Sequence, residues 1–236
     1  MTETRKICFF MWYDSAIKEY ADLNKKINTL YCNKYGYDLI VSDERTYTDR
    51  PPHWERLPLL LKHIHNYDYV VWIDSDAFLY EDSPSIENVI NYHKDKTFIF
   101  SADRKYNPND ENNNFRINSG FFIVKNSTYS IDFLKDWAYN YDYCFNRDKK
   151  LFPFNDQGGL LHMYYHNIMD IKSNSVIIPF GKLQHFYDND LNRPMCKNNK
   201  YTEIDRPFIK HLAGQSAETR VAESTEYYNM ISGKKT

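Results

Sequence analysis

Tyr69-Val70-Val71-Trp72-Ile73-Asp74-Ser75-Asp76-Ala77-Phe78 is the stretch on which the fold turns. Its apolar part runs without alternation, the pattern of a strand covered on both faces of a parallel sheet. The run then stops at two carboxylates around one serine. In an open parallel sheet, ligands bind beyond the carboxyl ends of the strands. Asp74 and Asp76 are therefore candidate oxygen ligands for a hard divalent cation, whose remaining positions a diphosphate would fill. Two carboxylates this close repel each other unless a cation neutralises them. A bare Asp-x-Asp more often sits in a turn, capping backbone groups. The core strand before it reverses those odds, because an exposed turn seldom grows out of buried chain.

The neighbouring segments extend that strand into an α/β fold. Lys6 to Trp12 reads as a first strand, and Ser15 to Tyr35 as a helix that Gly36 ends. Tyr37 to Val41 is a second strand and Trp54 to Asn66 a second helix, with Leu57, Leu60, Leu61 and Ile64 on one face. Strand and helix alternate, so the expected sheet is mixed, mainly parallel and flanked by helices in a single domain. Beyond it, Thr97 to Ser101, Phe121 to Val124 and Val176 to Pro179 read as strands, and Ser130 to Tyr141 and Gln157 to Tyr165 as helices. Lys182 to Pro207 is weakly patterned and reads as a long loop. The domain is expected over 1–215, with 216–236 as a tail packed on it or trailing from it.

Bulk properties exclude several classes. Lys plus Arg is 30 against 32 Asp plus Glu, a net charge of −2, which argues against nucleic acid as the main partner. A mean hydropathy of −0.72 rules out a membrane-embedded chain, and 17% aromatic residues rule out disorder. The first apolar run is too short to span a bilayer, so a protein that is cytoplasmic or otherwise soluble is expected. The four cysteines form no CxxC pair and suggest free thiols in a reducing compartment, although their even number leaves disulfides open. His162 and His166 lack the Glu of a metalloprotease helix, and no GxGxxG, Walker or GxSxG motif occurs.

The Tyr69–Phe78 segment resembles the metal-binding segment of GT-A nucleotide-sugar transferases, closest to family 34, the galactosyl/mannosyl/xylosyltransferase group. Three further segments resemble that family in the same order: Ile117-Asn118-Ser119-Gly120 through Asn126, Asn155-Asp156-Gln157, and Arg206 through His211-Leu212-Ala213-Gly214. Each is weak alone; four in order over roughly residues 50 to 215 are specific. The resemblance implies a nucleoside diphosphate sugar donor, UDP-linked, a glycan or other hydroxyl acceptor, and transfer with retention of configuration. It implies His211 as a third metal ligand, and an imidazole beside two carboxylates suits Mn²⁺ better than Mg²⁺, which stays possible.

The resemblance also assigns Asp156 and Gln157 to the reacting sugar, where a carboxylate would stabilise developing positive charge; an N-cap is the plainer reading of Asp156. Asp156 is the only candidate nucleophile, and same-face attack with Asp156 and Gln157 as electrostatic support is the preferred route. Ser75 belongs to the same donor-binding set, and Gly214 would let the backbone approach the diphosphate. The family's Lys after that glycine is replaced by Gln215-Ser216-Ala217, leaving Arg220 or Arg56 as substitutes. Arg56 also resembles a basic residue aimed at the donor. Asp103 and Asn118 are candidates to bind the donor sugar, or else form Asx turns. Trp12, Tyr13 and Asp14 end the first strand, where an aromatic ring stacks on a base and a carboxylate binds base or ribose; core packing is the equal alternative. The acceptor is expected over Arg104–Phe115 and Lys182–Asp205. A nucleotidyltransferase or a non-catalytic sugar-nucleotide-binding module are the competing readings.

Overall fold

The structure is a computed structural model that describes residues 5–104, 117–139, 155–202 and 206–233. Cys144, Phe152 to Phe154, Glu203 to Asp205 and, of the first expected acceptor loop, all but Arg104 lie outside the described residues.

A six-stranded sheet forms the centre, in the order β2-β1-β3-β6-β5-β7. Its strands are β1 (Ile7–Trp12), β2 (Asp38–Ser42), β3 (Tyr69–Ile73), β5 (Phe98–Ala102), β6 (Ile117–Lys125) and β7 (Ser175–Ile178). β1 pairs parallel with both β2 and β3, β5 pairs parallel with β7, and β6 runs antiparallel between β3 and β5. The mixed, mainly parallel sheet is the one expected.

Every residue of β1 and β3 is buried because both faces are covered. Phe10, Trp12, Val70 and Trp72 pack on one face against α2 (Arg56–His63), α4 (Thr128–Tyr139) and α5 (Asp156–Tyr165). Phe9, Met11, Val71 and Ile73 pack on the other against α1 (Lys18–Tyr35) and α3 (Glu87–Tyr92). Burying each such side chain contributes about 1.5–3 kcal/mol, so the central strands dominate stability. Gly36 ends α1 at φ 71°, the left-handed C-cap a side chain would strain. The helix expected over Trp54–Asn66 is α only from Arg56 to His63, with 3₁₀ turns at Pro52–Glu55 and Ile64–Asn66.

A second, three-stranded sheet in the order β4-β9-β8 was not foreseen: β4 (Ala77–Leu79), β8 (Gln184–His185) and β9 (Ile209–His211). It corrects the expectation of a long loop over Lys182–Pro207. That stretch holds β8 and 3₁₀ turns at Asp188–Asn192 and Pro194–Cys196, and Asn199 Nδ2 donates to the carbonyls of Lys182 and Arg206. Polar side chains organise this segment, so hydrophobic periodicity gives no sign of it. A short helix α6 (Ile171–Asn174) precedes β7, and the stretch after Gln215 is likewise ordered, forming α7 (Ala217–Ile231). α7 lays Tyr227, Tyr228 and Ile231 on Ile27, Phe78, Tyr80 and Leu212. Cys8, Cys32 and Cys196 are free and buried. Among the described residues no helix is long and apolar enough to cross a membrane.

Candidate active site

Asp74, Ser75 and Asp76 leave the carboxyl end of β3 and the chain turns directly into β4. Buried asparagines one turn apart on α1 fix that turn. Asn24 Nδ2 donates to Ser75 O (2.9 Å) and Asn28 Nδ2 to Ala77 O (3.1 Å), while Leu79 N donates to Asn28 Oδ1 (2.9 Å). β4 then pairs antiparallel with β9 so that Ala77 lies opposite His211, and Leu212 N donates to Asp76 O (2.8 Å). This register carries His211, distant in sequence, onto the acidic pair.

His211 Nε2 stands 3.2 Å from Asp76 Oδ1 and 3.9 Å from Asp74 Oδ2. The three residues each offer a ligand atom, all within 4.8 Å of one another. On its other side His211 Nδ1 meets Gln184 Oε1 at 3.1 Å, and Gln184 Nε2 donates to Ala102 O (3.3 Å). The second bond orients the amide, so Oε1 accepts the Nδ1 proton and Nε2 is the ring nitrogen that faces the carboxylates. Burial opposes charge on His211, but Asp76 and then Asp74 hold its pKa above the ordinary imidazole value. Burial likewise opposes ionisation of Asp76, yet His211 and Arg220 more than offset it and hold Asp76 below the usual carboxylate value. An imidazole nitrogen and two carboxylates in this space fit a divalent cation.

Gly120 floors the cluster. A Cβ there would fall inside the contact shell of His211 Cε1 and stand 2.9 Å from Asp74 Oδ2. Its carbonyl accepts from Asp74 N (2.8 Å), and its own N–H donates to Asn118 Oδ1 (3.0 Å). Asn118 thus takes the backbone-satisfying role, next to the register shift between Phe100 and Ser101 that re-aims β6.

Arg56, the basic residue expected near the donor, lines the cavity from within the fold. It is 4% exposed beneath the cluster, with its Nε 3.0 Å from Asp156 Oδ2, one terminal nitrogen 3.1 Å from Asp74 Oδ1, and Ser119 O on the other. Trp72 Nε1 also donates to Asp74 Oδ1 (2.7 Å). Asp156, 2% exposed, additionally accepts from Ser119 Oγ (3.1 Å). The N-cap of α5 is Asn155, whose side chain accepts from Gly158 N, so Asp156 is not the cap. Gln157 Oε1 accepts from Ser119 N (2.9 Å).

Trp12, Tyr20, His53, Arg56, Trp72, Asp74, Ser75, Asp76 and Arg220 line a cavity of about 410 Å³ over these groups. Trp12 therefore reaches the site. Tyr13 follows the packing alternative, buried with its hydroxyl donating to Asp22 Oδ1 (2.7 Å), and Asp14 caps the following turn through Ala16 N (3.0 Å). Asp103 lies half-buried just beyond β5. Gly214 has φ 73° with open space where a Cβ would point, so its backbone angle is what requires glycine. Sequence reasoning missed Asn24, Asn28, Gln184 and Ser119. Two asparagines four residues apart on the apolar face of a helix were the one available signal.

This fold is shared by known glycosyltransferases. A crystal structure of a glycosyltransferase involved in glycosylating the major capsid of PBCV-1 superposes with a TM-score of 0.70 at 13% identity, over 93% of this chain and 99% of that one. The galactosyltransferase LgtC, solved with donor and acceptor sugar analogues, gives 0.58 at 12% identity, over 94% and 95%. Both are likenesses of fold, and the class is GT-A. The chain belongs to the galactosyl transferase GMA12/MNN10 family, whose model matches residues 13–222. Curated relatives from rice (Oryza sativa subsp. indica and japonica), named probable glycosyltransferase 2, are 26% identical over 46% of this chain, and the match spans 22% of their length.

Proposed function

We propose that the protein transfers a sugar from a nucleoside diphosphate sugar, UDP-linked, to a hydroxyl of a glycan acceptor, with retention and with Mn²⁺ as cofactor. The observation that carries this reading is the convergence of Asp74, Asp76 and His211, the two carboxylates lining the cavity. Those three would hold the ion, which supplies charge neutralisation at the departing diphosphate. Trp12 and Arg220 line the cavity, where the ring would meet the base and the guanidinium the diphosphate.

Asp156 presents no open face to a sugar carbon, being held between Arg56 and Ser119. That favours same-face attack by the acceptor over an enzyme nucleophile. Its task is then to set Arg56, and through Arg56 the position of Asp74. Gln157 orders Ser119 and the glycine that follows it. The chain's family gives a nucleotidyltransferase or a non-catalytic binding module no support.

Incubation with UDP-sugars and Mn²⁺, followed by assay of released UDP, tests the reading. Turnover that disappears in Asp74→Asn and Asp76→Asn proteins is expected, and turnover surviving both substitutions would refute it.

A further inference from the structure

We propose that Arg220 is an exchangeable countercharge: its guanidinium holds Asp76 in the metal-free protein and passes to the donor diphosphate when a divalent cation takes that carboxylate. The inference rests on the metal and donor reading above.

Each carboxylate of the pair already has an arginine. Asp74 meets Arg56 at 3.1 Å, and Asp76 Oδ2 meets Arg220 at 2.8 Å. The two arginines are held differently. Arg56 is buried, stacks 4.9 Å from the centroid of Trp72, and keeps Asp156 as a second anion whatever happens to Asp74. Arg220 is 21% exposed at the cavity wall. Apart from Asp76, it bonds only neutral groups among the described residues: Leu212 O at 3.2 Å and the Tyr20 hydroxyl at 3.4 Å. Asp76 is its one anionic partner there.

The helix does not place this cation. Arg220 lies in the first turn of α7, after the Ser216 N-cap, where the macrodipole disfavours positive charge. Asp76 places it. A divalent ion on Asp76 would set two cations against each other and remove the attraction that keeps the guanidinium there. A diphosphate arriving with the ion offers the planar fork a bidentate partner within the same cavity. Ion and diphosphate then help each other bind, because each relieves what the other would have to displace.

The experiment measures Mn²⁺ affinity of the full chain by electron paramagnetic resonance, with and without UDP, for the wild type, Arg220→Met and Arg220→Lys, with thermal unfolding as a folding control. Removing the competitor should tighten Mn²⁺ alone by about tenfold in Arg220→Met and shrink the tightening that UDP produces by about the same factor. Arg220→Lys, which keeps the charge, should stay near the wild type. A merely structural arginine would weaken both ligands when lost. Mn²⁺ affinity that is unchanged or weaker in Arg220→Met, with normal binding by the wild type, overturns the exchange and leaves the metal reading standing. A wild type that binds no Mn²⁺ with or without UDP overturns both.

Discussion

The imidazole of His211 occupies the space that a side chain on Gly120 would need. The glycine of the Asn118-Ser119-Gly120 segment is thus required by the opposite wall of the Asp74-Asp76-His211 cluster, a contact between β6 and β9. Its φ is not in the left-handed region, so backbone freedom is not the reason. Gly120→Ala should drive His211 off the acidic pair, cost about 1–3 kcal/mol through overpacking, and lower Mn²⁺ affinity more than it lowers the unfolding midpoint. Calorimetric titration beside denaturant unfolding separates the two effects.

Gln184 orients the His211 ring through Nδ1. Gln184→Leu leaves that N–H without its acceptor and frees the ring to change tautomer. Metal affinity should drop by about 10–100-fold. Gln184→Glu, which still accepts the proton, should retain binding. Equal losses in both variants would mean that Gln184 acts only by filling space.

Asn28 bonds both Ala77 O and Leu79 N across the start of β4. Asn28→Ala strands two buried backbone groups, at about 1–3 kcal/mol each. The expected result is a lower unfolding midpoint together with a raised KM for the donor, because the strand it anchors carries the register of His211. Chemical denaturation and steady-state kinetics on one preparation check both.

Burial pushes the Asp156 carboxyl up to about 6 from its ordinary 3.8, against the opposing pull of Arg56. A raised pKa in the folded state means that the native protein holds this proton more tightly than the unfolded chain does. The stabilisation is therefore full below about pH 4 and is lost as pH rises through 6. Two pK units set its upper size at about 3 kcal/mol. In denaturant unfolding at pH 4.5 and 7.5, the wild type should lose stability relative to Asp156→Asn over that interval. Parallel profiles would show that Arg56 keeps the carboxylate ionised throughout.

Much of the fold was legible because β1 and β3 are buried on both faces, and such strands write themselves as unbroken apolar runs. The acidic pair was legible for a related reason, since it interrupts one of those runs at the end where ligands bind. β9 showed only as the short apolar Phe208-Ile209 run, and β8 and the chain between them left no such trace. Their order depends on Asn199, Gln184 and cross-strand pairing, which bury little apolar surface of their own.

Local sequence determined the strand that ends in Asp74-Ser75-Asp76, the helices that cover it and the glycine that ends α1. These follow from burial and backbone angle within a few residues. Only tertiary structure decided that Ala77 faces His211, that Arg56 lies under the site between two carboxylates, and that Tyr13 bonds Asp22. Those outcomes depend on pairing register and on charge compensation between distant segments, and neither has a period along the chain.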